Sequence, residues 1–102
     1  MLEFNQSAKS KFSTIVIPTA LLYDPKLSVM ARMTAVLILE LPKNSNNITH
    51  LLTVLLGASL TNVYEYLNDL DKCGWLWRVQ LVDDYGRASG YRYEILNEPD
   101  KD

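Results

Sequence analysis

Residues 52–76, LTVLLGASLTNVYEYLNDLDKCGWL, constrain the chain more than any other stretch. They read as a short helix, a tight turn, a second helix and the entry to a strand. Gly57 can take a positive φ where the first helix ends. Ser59 can cap the first amides of the second helix. Val63, Leu67 and Leu70 follow at i, i+4 and i+7, an apolar stripe that must be buried against something. Gly74 stands where the residue after a helix C-terminus often needs a left-handed backbone, and Lys72 suits the last turn of the helix dipole. This spacing predicts two helices joined by a turn, a helix-turn-helix pattern, with Val63, Leu67 and Leu70 facing Val36, Leu37, Leu52 and Leu55.

At 102 residues the chain has the length of one domain. No apolar run reaches the ~18 residues of a membrane span, and the first residues lack an apolar signal core. A lone cysteine, Cys73, excludes an internal disulfide and fits a reducing cytoplasm. The formal net charge of −2 does not advertise nucleic acid. Residues 1–58 carry +2 and residues 59–102 carry −4.

In chain order, residues 1–11 are polar and read as a flexible N-terminal arm carrying Lys9 and Lys11. Residues 12–17, FSTIVI, are rich in β-branched side chains and predict a short strand. Pro18 fits the first position of a short helix running to Tyr23, which Asp24-Pro25 ends. Ser28 predicts the cap of a helix from Val29 to Leu41, stopped by Pro42. Apolar residues point from that helix in nearly every direction: Val29, Met30, Met33, Val36, Leu37, Ile38 and Leu41. A face left over after the core is filled predicts a homodimer. Thr49 is the expected cap of the next helix, from about His50 to Leu56.

After the second helix of the pair, Trp75, Trp77, Val79 and Leu81 alternate with Leu76, Arg78, Gln80 and Val82. Asp83 to Gly90 reads as turn, and Tyr91 to Leu96 as a return strand, giving a hairpin. On this reading Trp75 and Trp77 fill the core, Tyr91 and Tyr93 pack against them, and Arg78 and Arg92 share one hairpin face. Residues 97–102 read as a short acidic tail without fixed structure. The predicted order is β-α-α-α-α-β-β over residues 12–96, an α+β winged helix-turn-helix with a helical core and a C-terminal hairpin wing.

Three stretches resemble a known family. IPTALLYDPKLSVMARMTAVLILELP (residues 17–42) is similar to the opening of winged-helix domains in phage and plasmid replication proteins, the DnaD-like and replisome-organiser group. The shared positions are Ile17, Pro18, Leu21, Leu22, Asp24, Leu27, Ser28 and Ala31. LLGASLTNVYEYLNDLDKCGWLWR and DDYGRASGYRYEI resemble that group's helix-turn-helix and wing. The resemblance implies a phage or mobile-element origin and a DNA-binding role in replication initiation or transcription control. It implies double-stranded DNA as partner, with Thr61, Asn62, Tyr64 and Asn68 on the second helix and Arg78, Arg87 and Arg92 on the wing as contact residues. Asn62 and Asn68 are the expected adenine readers and Arg87, at the hairpin tip, the expected phosphate contact.

The second helix departs from that pattern. From Leu60 to Lys72 its one basic residue faces Glu65, Asp69 and Asp71, a net −2. Phosphate attraction supplies most non-specific affinity, so the helix alone would be repelled. The alternative is a winged helix used for protein contacts, as a replication accessory, an antirepressor or an assembly domain. No catalytic, metal or cofactor site is expected. His50 has no second His or Cys at ligand spacing, Cys73 sits in apolar surroundings, Asp83-Asp84 is turn chemistry, and no P-loop, zincin or nucleophile-elbow pattern occurs.

Overall fold

The computed structural model describes residues 14–41 and 47–100. Four helices, α1 (Thr19–Leu22), α2 (Val29–Glu40), α3 (Ile48–Leu56) and α4 (Leu60–Lys72), precede an antiparallel hairpin of β1 (Leu76–Val82) and β2 (Ala88–Ile95). The hairpin lies on the helices, β2 against α2 and β1 against α4, in a winged-helix-like α+β arrangement. Among the described residues no helix is long and apolar enough to cross a membrane.

The expected first strand is not formed where it can be seen. Residues 14–18 carry no strand and the sheet has two strands among the described residues; Phe12 and Ser13 lie outside them, as does the arm of residues 1–11. Ile15 and Ile17 are half-buried and Thr14 and Val16 exposed, so the alternation is present. Extended backbone without a ladder partner for its N–H and C=O groups is not a strand.

Each helix start has a local cause. Pro18, with φ −59° and ψ 125°, stands at the cap of α1 rather than inside it. The Ser28 hydroxyl accepts from the Ala31 N–H at 3.1 Å and begins α2. The Ser59 hydroxyl accepts from the Asn62 N–H at 3.1 Å and begins α4. Helix α3 differs from expectation. It starts at Ile48, so Thr49 is already helical, and the cap position is Asn47 in the left-handed region (φ 53°), whose own side chain does not cap the first amides. Asparagine tolerates that backbone better than other residues with a Cβ.

Between α3 and α4, Gly57 takes φ 64°, and the next N–H, of Ala58, returns to the Thr53 carbonyl at 3.1 Å. Helix α4 ends in a Schellman motif. The Trp75 N–H donates to the Leu70 carbonyl at 2.9 Å and the Gly74 N–H to that of Asp71 at 3.0 Å, with Gly74 at φ 81°. This turn swings the chain so that Trp75 and Leu76 are both buried before strand alternation begins. Trp77 is then outward and 51% exposed, a correction to its expected core position. The tail also departs from expectation through residue 100. The Asp100 N–H donates to the Gly74 carbonyl at 2.7 Å.

The core joins Leu21, Leu27, Ala31, Ala35 and Ile38 to Leu52, Val63, Leu67, Leu70, Trp75, Leu76 and Tyr93. Val63, Leu67 and Leu70 are fully buried, as expected, and Leu52 meets them. Leu37 packs at the edge of the core, whereas Leu55 is turned outward and half exposed. The small Ala31 and Ala35 bring α2 close to its neighbours. Buried Thr34 satisfies its hydroxyl on the Met30 carbonyl at 2.7 Å. The outer side of α2 carries Val29, 71% exposed, and Met33.

Candidate nucleic-acid interface

The Ser59 cap and the buried stripe fix the rotation of α4, and that rotation leaves Thr61, Asn62, Tyr64 and Asn68 exposed. The hairpin is fastened beside them. Arg78 on β1 donates from Nη2 to Asn68 Oδ1 at 2.8 Å, and its Nε lies 3.9 Å from Asp71 Oδ2. The same guanidinium lies 6.0 Å from the centre of the Tyr93 ring. Arg78 is therefore spent on joining wing to helix, and Asn68 on receiving it.

The ladder register decides which residues share a hairpin face. Arg78 stands opposite Tyr93 and Gln80 opposite Tyr91, while Val79 stands opposite Arg92 and Trp77 opposite Glu94. Cross-strand partners share a face. Arg78 and Arg92 therefore lie on opposite faces, contrary to the expectation that they share one. Tyr91 and Tyr93 lie on the Arg78 face, with ring centres 6.4 Å apart, and not against Trp77. Counting alternation within each strand cannot give this relation, because it depends on how many residues the turn consumes.

That turn is built by Asp83. Its Oδ1 accepts the Tyr85 and Arg87 N–H groups, each at 2.9 Å, and Oδ2 pairs with Arg87 Nε at 3.1 Å. The Arg87 backbone N–H first, with that of Tyr85 and the guanidinium, holds the Asp83 carboxyl below the usual carboxylate range. Asp83-Asp84 is thus turn chemistry, as read from the sequence. Arg87 is at the tip with its side chain 73% exposed, its guanidinium 5.1 Å from the Tyr85 ring centre. Arg92 Nε lies 3.2 Å from Glu94 Oε2, in an orientation that leaves the N–H without a hydrogen bond. All three wing arginines thus have carboxylate neighbours.

Sequence reasoning missed one feature of this region. The start of α3, the first half of α4 and the distal hairpin enclose a cleft of about 210 Å³, lined among others by Asn47, Ile48, Tyr64, Leu81, Tyr91 and Tyr93. The Tyr-x-Tyr spacing at 91 and 93 was the available signal, and it reads equally well as core packing. Burial pushes the Tyr93 phenol above its ordinary value. Arg78 opposes that shift, while Tyr64 and Tyr91 add to it.

Cys73, at the end of α4, is half-buried, and desolvation first, then Asp24, raises its thiol above the usual range. That is the environment of an unreactive thiol. Among the described residues no three His, Cys, Asp or Glu side chains are grouped to hold a metal ion. Compared with family models, with curated proteins and with solved structures, the chain gives no match.

Proposed function

We propose that this protein is a winged helix-turn-helix DNA-binding protein of a phage or mobile element, acting on double-stranded DNA in replication initiation or transcription control. The observation that carries the reading is the joint between α4 and the hairpin. Arg78 bridges to Asn68, so the open face bearing Thr61, Asn62 and Tyr64 continues directly into the wing. In this reading α4 gives orientation and Arg87 takes a phosphate. Exposed ion pairs are worth only about 0–1 kcal/mol, so Arg87 can exchange Asp83 for a phosphate at little cost. The protein acts in the cytoplasm as a homodimer, paired through the outer side of α2 at Val29 and Met33.

A second reading is favoured by a specific observation. Val54, Leu55, Leu60 and Tyr64 on α3 and α4 are all exposed large side chains, and α4 carries a net −2. An apolar and acidic patch suits a protein partner, such as a replication or regulatory protein, better than a phosphate backbone. Binding of mixed-sequence duplex DNA across a salt series separates the two readings. The first requires affinity that falls steeply with salt, and the second none at any salt.

A further inference from the structure

We propose that residues 97–100 are an autoinhibitory strap, lying across the root of the wing and holding negative charge where duplex phosphates would otherwise meet Lys26, Lys72 and Arg78. The proposal rests on the duplex reading above and adds to it a regulated extension of the interface.

The strap is seated through its backbone. Where β2 ends, the Leu96 N–H donates to the Trp75 carbonyl at 3.0 Å. The chain then bends at Asn97 and Glu98 and returns, and the Asp100 N–H donates to the Gly74 carbonyl at 2.7 Å. The approach is close. A Cβ at Gly74 would stand 2.1 Å from the Asp100 carbonyl oxygen and 2.9 Å from its nitrogen, so only a glycine lets the strap lie down on the Schellman turn.

Asp100 is a wall common to two clefts. On one side it lines a space of about 300 Å³ with Asp71 and Arg78, and on the other a space of about 450 Å³ with Asp24, Lys26 and Lys72. The strap, Asn-Glu-Pro-Asp, therefore sets two carboxylates and no cation among three basic side chains. A phosphate within the Debye length, about 10 Å at 0.1 M salt, meets the field of Glu98 and Asp100 before that of the lysines. The other carboxylates of these clefts are committed to the fold. Asp24 holds the Trp75 indole and the Lys26 N–H, and Asp71 lies 3.9 Å from Arg78. Lys72 is the last residue of α4, whose exposed side carries Thr61 and Asn62, and Arg78 stands on β1. Opening the strap thus lengthens the candidate interface instead of creating a separate one.

The test uses the whole chain and two readouts. In the first, a labelled mixed-sequence duplex is titrated across a salt series. Glu98→Gln with Asp100→Asn keeps the backbone seat and removes the charge. It should tighten duplex binding roughly fivefold or more at about 50 mM salt and steepen the salt slope by about two, one for each lysine uncovered. Lys72→Gln should then cost clearly more in the neutral-strap protein than in wild type. Asp84→Asn, at the hairpin turn, controls for the loss of charge alone and should not make binding depend on Lys72. In the second readout, hydrogen exchange at the Asp100 amide should quicken when duplex binds, because the bond to Gly74 opens. A larger Lys72→Gln loss in the neutral-strap protein, with faster Asp100 exchange in the complex, supports the proposal. Equal affinity and slope in wild type and neutral-strap protein, a Lys72→Gln loss that is the same in both, or an Asp100 amide that stays protected on duplex overturns the strap and leaves the duplex reading standing. Neither protein shifting duplex at about 50 mM salt overturns both.

Discussion

Trp75 donates its indole N–H to the Asp24 carboxylate across 2.8 Å, joining residues 51 positions apart. Asp24 lies in the loop between α1 and α2, and Trp75 follows the Schellman turn of α4. The same aspartate accepts the Lys26 N–H at 2.9 Å through Oδ1, and its carbonyl accepts from Arg32 Nη2 at 2.6 Å. One residue therefore ties the loop before α2, the flank of α2 and the root of the wing together. These bonds give Asp24 a physical task in the fold.

Asp24→Ala should destabilise the fold by about 1–3 kcal/mol, because it leaves a buried indole N–H unmet. The bond to Trp75 first, then the Lys26 N–H, lowers the Asp24 pKa below its ordinary value. A lowered carboxylate pKa stabilises the fold above the unfolded value of about 3.9 and loses that effect as pH falls through the folded value. The gap in denaturation midpoint between wild type and Asp24→Ala should be constant near neutrality and narrow below about pH 4. A gap that widens on acidification would contradict the assignment.

Leu67→Ala should cost roughly 2–5 kcal/mol, the range for emptying a packed core position. Leu67 is fully buried between Val63 and Leu70 on the inward stripe of α4. Urea denaturation with an unchanged slope is the measure. A loss under about 1 kcal/mol would mean that the stripe does not carry the packing.

Gly74→Ala should be costly for two separable reasons. The backbone is at φ 81°, and a Cβ there would lie 2.1 Å from the Asp100 carbonyl oxygen. The conformation alone costs about 1 kcal/mol in a residue with a Cβ. Ending the chain after Pro99 should recover part of the loss in Gly74→Ala and leave the conformational part.

Met33→Glu should leave the monomer fold intact and abolish pairing if α2 forms the dimer contact. Light scattering should move from about twice 11.6 kDa to 11.6 kDa. Wild-type protein that already scatters at the monomer mass would remove the dimer from the account.

How much of this was legible in the sequence follows from what each feature depends on. Ser28, Ser59, Gly57 and Gly74 act on their own turn, so the helix ends they set are readable from local spacing. The stripe Val63, Leu67, Leu70 is equally local, and it is buried as expected. What failed depends on relations between segments. The face shared by Arg78 and Tyr93, rather than Arg92, follows from the turn at Asp83. The outward Trp77 follows from the swing at Gly74, which adds a second buried residue before alternation begins. The start of α3 at Ile48 was hidden because Thr49, an excellent cap residue, stands two positions past the actual cap, Asn47, and is already inside the helix. At the candidate interface, the exposed α4 positions were readable from helical period. The carboxylate neighbours of the three arginines were not, apart from the short spacings of Asp83 with Arg87 and Arg92 with Glu94.

The central claim, that this fold binds duplex DNA with the wing leading, is tested most directly by the salt dependence of binding for wild type and Arg87→Ala. A mixed-sequence duplex should bind wild type at about 50 mM salt, with log affinity falling linearly in log salt. Arg87→Ala should weaken every sequence alike and reduce the magnitude of that slope by about one, as expected for a lost phosphate contact. Wild-type protein that shifts no duplex at about 50 mM salt, where counterion release is favourable, would contradict the account and leave the apolar and acidic face of α3 and α4 as a protein-binding surface.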